Sequence, residues 1–140
     1  MWKNFMAMPI ILKLLTAGAL GMLLIVVSTV VPGNAIHVFG RDVTHSEWWS
    51  TGAGLFTLMV GLVAVAAAAL MLKRSIYGRP AYIFASAALS LSGLFVAGAT
   101  GVSTTTVIPS TIGNLVLTLA IALYLYLSKG AKEYFLSASK

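Results

Sequence analysis

The stretch from Trp48 to Leu72, WWSTGAGLFTLMVGLVAVAAAALML, runs without a charged residue until Lys73 and Arg74 close it. A helix needs roughly 20 apolar residues, at about 1.5 Å each, to cross about 30 Å of hydrocarbon. This segment is long enough. It lacks the period-two alternation of a barrel strand and is about twice as long as one. A helical membrane span fits it, and three more uncharged windows repeat the pattern. The first is opened by Pro9 and stopped by Pro32 and Gly33; the others follow Pro80 and Pro109.

The chain is therefore read as an all-α integral membrane protein, a single domain forming a four-helix transmembrane bundle. Its helices are expected over about residues 9–31, 46–72, 81–102 and 111–128. A small extracytoplasmic β-hairpin-like loop, about 33–45, would join the first two. The short links around Ser75 to Pro80 and Val107 to Ser110 favour antiparallel neighbours, up-down-up-down.

Composition agrees. Of 140 residues 59% are hydrophobic and 9% charged, against about a quarter charged in soluble domains. A net charge of +6 raises the question of nucleic acid. The basic residues sit at span ends instead of forming runs interleaved with stacking aromatics, so no nucleic-acid partner is expected. With no cysteine, disulfides, Cys-ligated zinc, thiol catalysis, prenylation and palmitoylation are excluded.

Lys and Arg resist translocation, so their placement orients the spans. Lys3, Lys13, Lys73, Arg74, Arg79, Lys129, Lys132 and Lys140 fall on one side and Arg41 alone on the other. Both termini are expected in the cytoplasm, with a bacterial inner membrane as the setting. A competing reading makes the first span a signal peptide cleaved after Ala35, although its apolar run is long for one.

The outer loop carries most of the exposed chemistry: His37, Arg41, Asp42, His45, Glu47, Trp48 and Trp49. Two β-branched and aromatic runs flank Gly40. A type II′ turn at Gly40-Arg41 would pair Phe39 with Asp42 and His37 with Thr44, sending His37 and His45 to opposite faces and arguing against a shared metal. Thr44 and Glu47 form a capping box for the next helix. Trp48 and Trp49 suit the headgroup level, or docking to a partner. Trp2, Tyr77, Tyr82, Tyr124, Tyr126 and Tyr134 suit the other boundary.

Within the spans the only ionisable group with charge is Lys13, at an edge. Coupled transporters, haem-binding spans and intramembrane hydrolases need embedded carboxylate, histidine or a base, so these classes are disfavoured. What remains is weakly polar. Ser86, Ser90, Gly93, Ala97 and Gly101 share one helix face; Gly54, Gly61, Ala64 and Ala68 share another; Gly18 and Gly21 lie on the first span. Thr111, Asn114 and Thr118 mark the fourth, where Asn114 is expected to bond across helices and Ser110 or Thr111 to cap.

These features point to a non-catalytic membrane protein with no cofactor. It would act as an accessory subunit or interaction module contacting lipid and other membrane chains or copies of itself. The alternatives are a passive channel or uncoupled carrier along a Ser/Thr/Asn path on the third and fourth spans, and a surface enzyme using His37, His45 or Glu47.

Overall fold

The computed structural model describes residues 2–32 and 36–136. The stop at Gly33, the cleavage point at Ala35 and Lys140 lie outside them. In chain order come α1 (Trp2–Met6), α2 (Ile10–Val30), strands β1 (Ile36–Val38) and β2 (Arg41–Val43), α3 (His45–Ser50), α4 (Ala53–Leu72), α5 (Gly78–Ala99), α6 (Thr104–Leu127) and α7 (Lys129–Leu136). Four of these, α2, α4, α5 and α6, are long and apolar enough to cross a membrane.

α4 packs between α2 and α5, and α5 packs on its other side against α6. Small residues permit these approaches. A Cβ on Gly61 would run into the Val26 side chain, so this glycine seats α2 on α4. Ser86, Ser90 and Gly93 of α5 face α6: Ser86 and Ser90 Oγ lie 2.9 and 3.2 Å from Thr118 Oγ1, and a Cβ on Gly93 would stand 3.1 Å from Val107. Close packing and hydroxyl bonding of this kind hold these helices to one another. Gly18 and Gly21 have open space above them.

The end carrying Lys73 to Arg79 and α7, the basic end, is closed. Leu12, Met71 and Leu125 bury together with Tyr134 and Phe135 of the amphipathic α7, and Ile121 packs on them, so α2, α4, α6 and α7 share one core here. Tyr82 donates to the Leu15 carbonyl at 3.1 Å, Tyr134 to the Met71 carbonyl at 3.1 Å, and Asn4 to the Leu72 carbonyl at 2.9 Å. Burial raises the Tyr134 hydroxyl above the usual tyrosine range, while the neighbouring Arg74 pulls it down.

Helix ends differ from the sequence expectation for identifiable reasons. α5 starts at Gly78, not 81, because Pro80 is accommodated in the first turn, where no intrahelical N–H is needed. α4 ends in a Schellman motif: Ser75 N–H donates to the Leu70 carbonyl and Arg74 N–H to that of Met71, with Arg74 left-handed at φ +55°. An arginine there is costly, and its guanidinium compensates by stacking 4.8 Å over Tyr134. A Cβ on Gly78 would meet the Met71 backbone at 3.1 Å, so the link from α4 to α5 needs this glycine.

The expected single helix over 46–72 is two. Gly52, at φ +79°, ends α3 and begins α4. The break folds both tryptophans back over Gly54, where a Cβ would lie 2.8 Å from Trp48 and 2.9 Å from Trp49. α6 starts at Thr104 and contains Pro109, with Ser103 at the cap position in place of Ser110 or Thr111. Pro109 removes the donor for the Thr105 carbonyl, but Thr105 is exposed near the helix start, where solvent substitutes.

Asn114 does not bond across helices. Its backbone carbonyl accepts from Thr118 Oγ1 at 2.9 Å, and its side chain is exposed with no hydrogen bond among the described residues. By helical spacing Asn114 shares the line of Val107, Thr111, Thr118 and Leu125, the buried stripe of α6, yet at its own position that line is exposed.

Candidate functional site

The hairpin is where the exposed chemistry gathers. Its register pairs Ile36 with Val43, His37 with Asp42 and Val38 with Arg41. The two-residue turn is therefore Phe39-Gly40, one position earlier than expected. Both residues have positive φ, +47° and +84°, as a type I′ turn requires. The left-handed conformation costs Phe39 about 1–2 kcal/mol. Its ring approaches Gly93 of α5, where an added Cβ would stand 3.4 Å from it.

Strand alternation then sorts the side chains. Val38 and Val43 point inward and are buried with Trp48, Ala53 and Val96. Arg41 shares their face. It donates to the Thr100 carbonyl at the end of α5 and pairs with Glu47 at 2.8 Å, so one guanidinium ties β2 to α3 and α5. His37 and Asp42 pair with each other on the opposite, exposed face.

Thr44 caps α3, its hydroxyl accepting from Glu47 N–H at 3.2 Å. The Glu47 side chain serves Arg41 instead of completing the box. His45 turns away from His37: Trp49 Nε1 donates to its Nε2 at 3.0 Å, and the Val30 carbonyl lies 3.3 Å from the same nitrogen. One ring nitrogen accepts or donates, not both, so the tautomer selects between α3 and the end of α2. Trp48 is buried beneath the hairpin. Its indole N–H lies over Gly54 without a hydrogen-bond partner among the described residues.

Beneath the hairpin, between the hairpin-side halves of α2, α4 and α5, is a cleft of about 670 Å³. That lies within the roughly 300–1,000 Å³ range of small-molecule sites. Its walls are Ile25, Ile36, Val38, Trp48 and Val96, with Phe39 and His37 on the hairpin side and hydroxyls from Ser28, Thr29, Thr57 and Ser92. Ile25 and Phe39 are half-exposed, so it opens sideways from the bundle. A smaller hollow of about 100 Å³, lined by Gly18, Ala64, Tyr82 and Ser86, occurs farther along the same α2–α5 seam.

Of the loop residues singled out from sequence, the structure brings His37 to Asp42, Arg41 to Glu47 and His45 to Trp49. It does not bring the two histidines together. Of the polar residues expected within the spans it joins Ser86, Ser90 and Thr118 and buries Thr111, but leaves the Asn114 side chain apart. Sequence reasoning passed over Ser28, Thr29, Thr57 and Ser92, whose one signal is a hydroxyl in an apolar run. Compared with known proteins, the chain matches no protein-family description, no curated protein and no solved structure.

Proposed function

We propose that this chain is a polytopic membrane protein, with α2, α4, α5 and α6 crossing a plasma membrane and both termini cytoplasmic. In this reading it acts without catalysis, as an accessory subunit or interaction module, and the hairpin end is its recognition surface. The carrying observation is the placement of Arg41. By holding β2, Glu47 and the Thr100 carbonyl together, it makes the loop a fixed surface, as recognition of a partner favours. The charged groups of the loop are engaged in these pairs, which supports a structural role for them over acid–base work.

Purification in mild detergent tests this: defined membrane chains should co-purify, and replacement of Arg41 should release them. A chain that always purifies alone overturns the accessory role. Because the protein has no cysteine, single cysteines at Ser103 and Lys132 read orientation directly. An impermeant thiol reagent should reach the first from outside and the second only after lysis.

A passive carrier is a second reading, favoured by the cleft and hollow along the α2–α5 seam. The path would then lie between α2 and α5, not along the third and fourth spans. Ser86, Ser90 and Thr118 bond to one another across the latter seam. Liposomes carrying the pure protein would become leaky to a defined solute in this case alone.

A further inference from the structure

We infer that the cleft beneath the hairpin binds an uncharged lipid alcohol, with its hydroxyl among Ser28, Thr29, Thr57 and Ser92 and its tail leaving sideways past Ile25. This rests on reading the hairpin end as the recognition surface, and it names a ligand class for it.

The donor and acceptor inventory selects the headgroup. Ser28 donates to the Ile25 carbonyl at 2.7 Å, Thr29 to Val26 at 2.8 Å and Ser92 to Leu89 at 2.7 Å. Each hydroxyl proton is spent on its own helix, leaving oxygen lone pairs as acceptors. Thr57 differs, since its hydroxyl has no partner among the described residues and remains free to donate.

A ligand matched to this wall must donate and accept at one small group, as an alcohol does. A carboxylate or phosphate ester would bring only acceptors against acceptors. An ammonium would bring an unpaired positive charge into a cleft whose lining, among the described residues, includes no carboxylate. The remaining walls are aliphatic and aromatic, which suits an alkyl or isoprenoid chain. Entry from the side lets the tail stay in hydrocarbon while the hydroxyl exchanges one environment for a better one.

The test uses the full-length protein in nanodiscs with a diazirine-bearing hexadecanol, mapping adducts by peptide mass spectrometry and competing with hexadecanol, hexadecanoate or hexadecylamine. Adducts should concentrate on α2, α5 and the hairpin, and hexadecanol should compete about ten-fold better than either charged analogue. Thr57→Val should weaken binding about five-fold, Ser28→Leu should fill the cleft and abolish labelling, and Leu117→Ala on the exposed face of α6 should change nothing. Equal competition by all three analogues, or adducts spread over α6, would overturn the inference even if a cleft variant fails to fold. The accessory role is judged separately, by co-purification, so either idea can fail alone.

Discussion

The guanidinium of Arg79, near the start of α5, lies 4.6 Å over the ring of Phe135 in α7 and donates to the carbonyls of Ala131 and Lys132 at 3.3 and 3.4 Å. One side chain thus satisfies carbonyls of α7 and packs its aromatic face. Loss of these contacts in Arg79→Ala should cost about 1–2 kcal/mol. Hydrogen exchange should speed up in Lys129–Leu136 first, while Arg79→Lys keeps the charge but loses the planar stack and falls between. Unchanged protection of α7 in the alanine variant would count against the latch.

Tyr134 gives the same end a pH dependence. Burial raises its hydroxyl above the ordinary value, with Arg74 opposing. A group with a raised folded-state value holds its proton longer than the unfolded chain does. Its contribution is complete below the unfolded value of about 10 and is lost as pH rises through the folded one. Docking of α7 should therefore weaken in alkali, and Tyr134→Phe, already lacking the bond to Met71, should lack that step. Identical alkaline profiles for the two proteins would reject this account.

Gly61 and Val26 supply a packing test. Gly61→Ala puts a methyl where Val26 stands and should destabilise by about 1–3 kcal/mol. Val26→Ala makes room, so the double variant should recover part of the loss. Strict additivity of the two changes would mean that α2 and α4 do not meet at this point.

Thr118→Val tests whether hydroxyls at the α5–α6 seam pack or conduct. As packing, the change should cost about 0.6 kcal/mol and at most about 1.7, measured by unfolding in mixed micelles, with liposome permeability unaltered. A change in solute flux with little change in stability would favour a path there.

The four long apolar helices were legible because each is a run uninterrupted by charge, and hydropathy needs no tertiary information. The hairpin was legible from Gly40 and its β-branched flanks, and the cap from Thr44 and Glu47. What escaped was set by contacts. The register depended on a left-handed Phe39 beside Gly93, which no local propensity favours. The break at Gly52 followed from folding two indoles over Gly54. Pro80 and Pro109 read as helix openers, yet each is absorbed within a helix near its start. α7 is too short and too polar overall to announce itself without Met71, Arg74 and Arg79 to receive it. The cleft escaped because its hydroxyls come from three helices, and sequence order does not reveal their convergence.

Arg41 has one further effect. The turn from α5 into α6 pivots on Gly101, at φ +68°, and a Cβ there would stand 2.9 Å from the Arg41 guanidinium. α6 packs along α5, and the turn that starts it sits against Arg41 beneath the hairpin. Lifting the hairpin would take Arg41 off the Thr100 carbonyl and away from that turn. The hairpin thus touches the start of the helix farthest from α2 in the packing order.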